Sequence, residues 1–332
     1  MPALIASARP DGAPRVRAGR GAPNWSKISF MACFLGVPLA VFVVFELWPF
    51  VQAFYYALTD WGGFSSTFNF IGLGNFAKML GDTTFLASLR NSALLAAVVP
   101  TVTLALAFAI AFVVTAGGPS TGRVQGLPGG GVYRVVSFFP YCIPAIVIGL
   151  IWAQVYDPRR GLLNGALTAL GLDQFANFAW LGNIATAMPA SMFVIVWGFV
   201  GFYTVLFVAA IKGIPAETYE AARIDGAGRF RLAFWITLPQ MLNNVRTAYI
   251  YLGLAAMDAF VYMQALNASG GPDHSTLTLS QELYVTAFSK GQFGYATAMG
   301  IALALVSLVY AALVFAVLRL VQGPEDKPGV RP

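Results

Sequence analysis

The chain has 332 residues, of which 58% are hydrophobic and only 10% are charged, compared with about 25% charged residues in soluble domains. This composition argues against an ordinary soluble domain. The formal net charge is +6, and the distribution of the basic residues has to decide whether this charge reflects nucleic-acid binding or membrane topology.

The predicted elements in chain order are a tail, six apolar spans and a second short tail. Residues 1–27 are rich in Pro, Gly, Ala and Arg and lack apolar periodicity, which predicts a disordered tail. A bilayer crossing needs about 20 apolar residues, and six runs meet this requirement. They are residues 28–56, 94–115, 135–156, 184–211, 245–266 and 295–321. We therefore expect an all-α integral membrane protein with a membrane domain at 28–322 and a C-terminal tail at 323–332.

The connecting segments predict the topology. Most of the 20 Lys and Arg residues lie in the two tails and in segments 116–133 and 212–244, which all share one side of the membrane. The positive-inside rule assigns that side to the cytoplasm, so both termini are predicted to be cytoplasmic. Segment 157–183 then lies outside and is expected to form a short amphipathic helix. The basic residues thus report on topology and contacts with lipid, and they do not indicate nucleic-acid binding.

The cytoplasmic segment at residues 212–239, hereafter the signature loop, predicts two short helices. Pro215 suits the first turn of the first helix, which we expect to end at Asp225-Gly226 because Gly tolerates the left-handed cap conformation. The second helix is expected to run from Arg229 to Ile236 and to end before Pro239. Such a pair would form a compact docking element for a partner protein.

The signature loop also carries a spaced motif. Its members are Glu220, Ala221, Ala222, Asp225, Gly226, Ile236, Leu238 and Pro239. The motif resembles the EAA signature of permease subunits of binding-protein-dependent ABC importers. Flanking phrases at residues 70–76, 161–164 and 224–227 resemble the maltose/glycerol-phosphate type, specifically its first-permease branch.

This resemblance implies a six-helix MetI/maltose-type permease fold, in the bacterial cytoplasmic membrane, that translocates a mono- or oligosaccharide. It implies four kinds of neighbour: a second homologous permease subunit, two ATP-binding subunits, an extracytoplasmic sugar-binding protein and lipid. The motif residues would couple the permease to the ATP-binding subunits. The chain contains no G-x-x-x-x-G-K-[ST] loop for nucleotide phosphates. We therefore expect that it is not an enzyme and has no catalytic residues, cofactor or metal, and that ATP and Mg²⁺ are used by the partner subunits.

Two acidic residues fall within predicted spans, where a charge is costly. For Glu46, we favour a structural role. Asp258 shares a face of a continuous helix with Tyr251 and Tyr262, and this group could contact sugar hydroxyls or could pair with a partner chain. Trp197, in the middle of its span, is a further candidate for the substrate pathway.

Two other classes of function remain to be distinguished. An ion-coupled secondary transporter would need several buried ionisable groups or paired broken helices, and uptake driven by ATP without a proton gradient would exclude it. A membrane enzyme would need a nucleophile–base pair or a metal site. The sole histidine, His274, has no such partner spacing.

Overall fold

The computed structural model describes residues 25–116 and 129–322. The chain divides into two compact units, of which the first ends at Gln52 and the second begins at Ala53. Most of the N-terminal tail, most of the glycine-rich connector and the C-terminal tail at 323–332 lie outside the described residues. Helical structure already begins at Trp25, within the predicted tail.

Helix α1 covers residues 25–57 and contains two π-helical turns, Ala32–Gly36 and Val43–Leu47. Within the first unit, residues 29–52 are exposed. An apolar helix that is exposed on all sides requires lipid or another protein around it. Its 29-residue stretch Ser29–Ala57 is long and apolar enough to cross a membrane.

The described residues of the second unit are predominantly helical. Its helices are α2 (Gly74–Gly81), α3 (Thr83–Thr115), α4 (Gly130–Phe138, followed by the 3₁₀ turn Phe139–Cys142), α5 (Ala145–Val155), α6 (Leu162–Ala169), α7 (Ile184–Lys212), α8 (Ala216–Ile224), α9 (residues 229–240, including the π-helical turn Leu232–Thr237), α10 (Leu242–Met257), α11 (Phe260–Leu266), α12 (Leu279–Tyr284, followed by the π-helical turn Val285–Ser289) and α13 (Phe293–Gln322). Helix α6 is the predicted short amphipathic helix.

The apolar helices agree with the predicted all-α membrane fold. Among the described residues, four helices can cross a membrane as continuous spans, and up to six spans result if each of two bent helix pairs counts as one. The continuous spans are Ser29–Ala57, Thr83–Thr115, Ile184–Lys212 and Phe293–Leu320. The predicted spans 135–156 and 245–266 are the two bent pairs, with bends of 97° and 45°.

The first break follows from proline. Ile143 is extended, with φ −87° and ψ 133°, and Pro144 has φ −55° and ψ 138°. A proline ring sterically disfavours helical geometry in the residue before it, so α4 ends and α5 begins anew at Ala145. The signal was present in the sequence, but the length of the apolar run obscured it.

The second break has no proline. It lies at Asp258 (φ −103°, ψ 45°) and Ala259 (φ −77°, ψ 34°). Beyond it, α11 packs against α5 so closely that a Cβ atom at Gly149 would overlap that of Ala265. Because the segments after the two breaks contact each other, we attribute this bend to tertiary packing.

Helix α3 begins eleven residues before the predicted start at 94 because Asp82 caps it. The Asp82 carboxylate accepts hydrogen bonds from the backbone N–H groups of Thr84 and Phe85, at 3.0 and 3.1 Å, and from the Tyr295 hydroxyl at 2.8 Å. At 33 residues, α3 is about 50 Å long at 1.5 Å per residue. It is therefore longer than the hydrocarbon core, which is about 30 Å thick.

The main core forms where α3, α7 and α10 pack together. Helix α4 also approaches α7 closely at Gly201, where an added Cβ atom would overlap the Ser137 carbonyl group. Since the obstructing atoms belong to the backbone, a side chain at Gly201 can be accommodated only if α4 moves.

We therefore expect Gly201→Ala to destabilise the protein by about 1–3 kcal/mol, the usual cost of overpacking. The matched control is Gly165→Ala in α6, where an added Cβ meets nothing within 4 Å. Thermal unfolding of the purified chain in detergent measures the difference. Equal melting temperatures for the Gly201 variant and the natural chain would contradict the proposed close approach.

A second prediction concerns Asp82. Burial alone would raise the pKa of Asp82, but the hydrogen bonds from Tyr295, Phe85 and Thr84 hold this pKa below its ordinary value. The ionised carboxylate thus stabilises the fold at neutral pH, and this contribution is lost as the pH falls through the folded-state pKa.

Asp82→Asn retains a good capping side chain but removes the ionisable group. We expect the difference in melting temperature between the natural chain and this variant to be largest near neutral pH and to shrink in acid. Asp173→Asn, at an exposed position, is the control for nonspecific charge effects. A pH-independent difference for Asp82→Asn would contradict the assignment.

Candidate functional site

The first helix of the signature loop ends where predicted, but Pro215 precedes its first turn and does not lie within it. Pro215 precedes α8 with φ −56° and ψ 137°. At the other end, Gly226 has φ +77°, and its N–H donates to the Arg223 carbonyl at 3.0 Å, while the Ala227 N–H donates to the Ala222 carbonyl at 2.9 Å. These two bonds form a Schellman cap, which needs a residue in the left-handed conformation. Gly226 therefore determines where the chain turns from α8 toward α9.

The second helix is longer than predicted. It does not end before Pro239, because Pro239 is the second residue of the helical turn Leu238–Gln240. A missing N–H is tolerated at the start of a helical segment. The preceding turn, Leu232–Thr237, is π-helical, so the register of the backbone hydrogen bonds changes before the proline is reached.

A buried hydrogen bond joins α8 to α9. The hydroxyl oxygens of Tyr219 and Thr237 are 3.1 Å apart, and the two residues are 3% and 0% exposed. Thr237 donates to the Leu232 carbonyl at 2.9 Å, so Tyr219 is the donor to Thr237. Burial raises the pKa of the Tyr219 phenol, so the phenol keeps the proton that it donates to Thr237. The neutral phenol thus makes the two helices of the signature loop one unit.

The signature motif divides into two halves that point in opposite directions. Glu220, Ala221, Asp225 and Gly226 are exposed, as are their neighbours Glu217 and Ile224; we call these six residues the docking face. Ala222, Ile236 and Leu238 instead pack against the main core, and Pro239 is exposed. Of the two alanines of the motif, Ala221 is exposed and Ala222 is half-buried. Ile224, with 86% exposure, is an apolar residue of the docking face that the sequence reading did not single out.

The four candidates for the substrate pathway do not form one group. Asp258 is exposed. Tyr251 is 69% exposed. Tyr262 is only 9% exposed, and its hydroxyl lies 2.6 Å from where a Cβ at Gly198 would be. The predicted common face with Tyr262 is wrong because the helix bends after Met257.

Trp197 lies with Tyr262 on the packed side. It is half-buried, and its ring centroid is 5.6 Å from that of Trp152. Tyr251 and Asp258 are thus the exposed candidates, while Trp197 and Tyr262 belong to the contacts among α5, α7 and α11.

A polar face on α10 was missed by the sequence reading. Asn243, Thr247 and Tyr251 follow one another at intervals of four residues, so they share one side of the helix. A cavity of about 540 Å³ lies between this side of α10 and α7, and Asn244, Ala248, Phe202, Tyr203 and Leu206 complete its lining. A polar residue at every fourth position of an apolar span was the signal that could have identified it. Within residues 25–116 and 129–322, no cluster of His, Cys, Asp or Glu could hold a metal ion.

Known proteins with similar sequences and structures identify the family. Residues 114–322 match the model of the binding-protein-dependent transport system inner membrane component. The chain is 62% identical over 326 residues to the diacetylchitobiose uptake system permease protein NgcF of Streptomyces coelicolor, covering 98% of this chain and 92% of that protein. It is 28% identical to the sn-glycerol-3-phosphate transport system permease protein UgpA of Yersinia pestis, covering 86% and 93%.

Among solved structures, the chain is similar to a bacterial alginate ABC transporter in complex with an alginate pentasaccharide-bound periplasmic protein. The TM-score is 0.72 at 20% sequence identity, and the match covers 92% of this chain and 99% of that chain. This similarity supports the fold. The family model spans well over half of the sequence, and the signature motif lies within the matched region. The chain therefore belongs to the family of inner membrane components of binding-protein-dependent transport systems.

Proposed function

We propose that this chain is a permease subunit of an ATP-driven importer and that its cargo is an N-acetylated disaccharide of the diacetylchitobiose type. The observation that carries the proposal is the 62% identity, over 98% of this chain, to a diacetylchitobiose uptake permease. An uncharged cargo also fits the neutral Asn, Thr and Tyr side chains on the polar face of α10, because amides and hydroxyls can pair with sugar hydroxyls and acetamido groups.

The docking face supports a coupling role for the signature loop. Its carboxylates, the small Ala221 and the exposed Ile224 offer polar and apolar contacts on one short helix, as in helix-in-groove recognition. We propose that the importer contains two ATP-binding subunits. They hold this helix and the corresponding helix of a second permease chain. ATP hydrolysis and Mg²⁺ binding then belong to those subunits. The Tyr219–Thr237 bond lets α8 and α9 transmit a rigid-body displacement.

The breaks in two spans support a pathway beside α10. Irregular backbone is tolerated at membrane depth only where protein or water surrounds it, and discontinuous helices mark substrate sites in many transporters. Asp258 lies at one break, and Tyr251 and Thr247 lie about two and three turns before it on α10. We propose that sugar delivered by an extracytoplasmic binding protein passes along this side of α10.

The orientation in the membrane follows from the basic residues. With the signature loop in the cytoplasm, where ATP-binding subunits can reach it, both termini are cytoplasmic and most Lys and Arg residues lie on that side. The same arrangement places α2, α6 and α12 outside.

The importer is tested by reconstituting the chain with its second permease, its ATP-binding subunits and its binding protein in liposomes. Uptake of labelled diacetylchitobiose is expected to require ATP and the binding protein and to proceed without a proton gradient. ATP-independent uptake driven by a proton or sodium gradient would instead favour an ion-coupled transporter. ATP-driven uptake of other sugars with no competition from diacetylchitobiose would overturn the proposed cargo.

The docking face yields one prediction. Gly226→Pro should abolish uptake because proline fixes φ near −65°, whereas Gly226 needs φ +77°. Glu220→Lys should do the same by reversing a charge on the docking face. Both variants should remain in the membrane at normal levels.

The control for the Gly226 variant is Gly228→Ala, since Gly228 lies in the same loop at φ −70° with open space around it. Uptake is measured at equal expression. Normal uptake by either Gly226→Pro or Glu220→Lys would count against the coupling role.

The pathway yields another prediction. A hydrogen bond to a charged group is worth about 1.5–3 kcal/mol, so Asp258→Asn should raise the KM for sugar by about tenfold or more, measured as uptake against sugar concentration. Asp173→Asn, at an exposed position outside the spans, should leave the KM unchanged. If Asp258→Ala and Asp258→Asn both retain the natural KM and the natural sugar preference, Asp258 does not contact the cargo.

A further inference from the structure

Arg223 lies on α8 but does not belong to the docking face. Its side chain is half-buried, and its Nε and Nη1 atoms are buried without a hydrogen-bond partner among the described residues. The exposed carboxylates of the same helix therefore do not form hydrogen bonds with the Nε and Nη1 atoms of this guanidinium. A buried donor without an acceptor is costly, so the position of Arg223 requires an explanation.

The one hydrogen bond recorded for the Arg223 side chain crosses to α3. Its Nη2 atom donates to the carbonyl oxygen of Ala116 at 3.5 Å. Ala116 follows the last residue of α3 as its C-cap and is 2% exposed. The contact thus links two parts of the chain that are 107 positions apart in sequence.

The end of α3 is a suitable place for a cation. The last carbonyl groups of a helix have no partners within the helix, and they carry the negative end of the helix dipole. Arg223 brings a positive charge to that end from a different element. Because two of its nitrogens remain unpaired, this arrangement is poorly suited to stabilising the fold.

From α3, further hydrogen bonds lead to α10, on the side opposite its polar face. The Tyr249 hydroxyl lies 2.9 Å from the Thr101 hydroxyl and donates to the Ala97 carbonyl at 3.1 Å. Tyr249 lies on α10 two residues before Tyr251. A displacement of α3 can therefore reach α10 through side chains that are already in contact.

We propose that Arg223 is a positioning residue for transport, which attaches the signature loop to the cytoplasmic end of α3 so that movement of α8 is passed to α3 and then to α10. This proposal rests on the proposed function, since it assumes that ATP-binding subunits displace α8. It assigns to Arg223 a role in the mechanical connection, separate from the docking face that the partner contacts.

The test replaces Arg223 with an apolar side chain of similar length in the fully assembled transporter. Arg223→Met removes both the contact with Ala116 and the unpaired buried donors. We expect its melting temperature to equal or exceed that of the natural protein and ATP hydrolysis to persist. Sugar uptake per ATP hydrolysed should fall by about fivefold or more, the lower end of typical coupling effects.

Two further variants distinguish a role of Arg223 in transmitting movement from a purely structural role. Arg223→Lys retains a cation that can approach the end of α3, and it should recover part of the uptake per ATP. Arg231→Met removes an exposed arginine of the same loop and should behave as the natural protein does.

An unchanged ratio of uptake to hydrolysis in Arg223→Met would overturn the proposal. So would a joint loss of melting temperature, hydrolysis and uptake in both Arg223 variants, which would indicate a purely structural role. If the natural complex itself shows no ATP-driven uptake, the proposed function fails, and that result is distinguishable from a failure confined to the Arg223 variants.

Discussion

The buried hydrogen bond between Tyr219 and Thr237 is the constraint that holds the two helices of the signature loop together. Two helices of nine and about twelve residues are too short to hold a fixed relative position by their own stability. Separating the two hydroxyls inside the protein would leave the buried Tyr219 hydroxyl unpaired, at a cost of about 1–3 kcal/mol, while Thr237 would keep its bond to the Leu232 carbonyl. The bond therefore favours joint movement of α8 and α9 over their separation.

This constraint explains why the signature motif extends over so many residues. Glu220 and Ala221 face outward on α8, whereas Ile236 and Leu238 on α9 are packed against the main core. A force applied to the outward half reaches the core only if the two halves are joined, and Tyr219 lies beside the outward half while Thr237 lies between the two inward residues. The Schellman cap at Gly226 sets the turn that brings them together.

The membrane imposes a second constraint, on the backbone. Groups that lose their helical partners at Pro144 and Asp258 must find protein or water around them. The segments beyond the two breaks, α5 and α11, pack together at Gly149 and Ala265, so part of this irregular backbone lies between helices. The exposed residues Tyr251 and Asp258 lie before and at the second break.

Those features that depend on local chemistry could be predicted from the sequence. The long apolar runs predict spans because each covers the bilayer by itself, and Gly226 predicts the end of α8 because few other residues adopt positive φ. Asp82 as a helix cap and Pro144 as a helix breaker could also have been predicted, but the predicted spans were defined by apolar length alone. The bend after Met257 could not be predicted from the sequence, because packing between distant residues causes it. Once the bend is present, Tyr262 turns away from Asp258 and a face inferred from helical periodicity no longer exists.

Arg223 shows why a motif does not reveal every residue on which a mechanism depends. In sequence it is one of several arginines in a basic segment, and basic residues on the cytoplasmic side need no explanation beyond topology. In the structure its guanidinium meets the end of α3 with two nitrogens unpaired. A cation at a helix C-terminus contributes about 0.3–1 kcal/mol, which is less than the cost of about 1–3 kcal/mol for each buried donor left without an acceptor. Stability alone therefore does not account for an arginine at this position. Transmission of movement between α8 and α3 does, because that role depends on the connection itself and tolerates a cost in the resting fold.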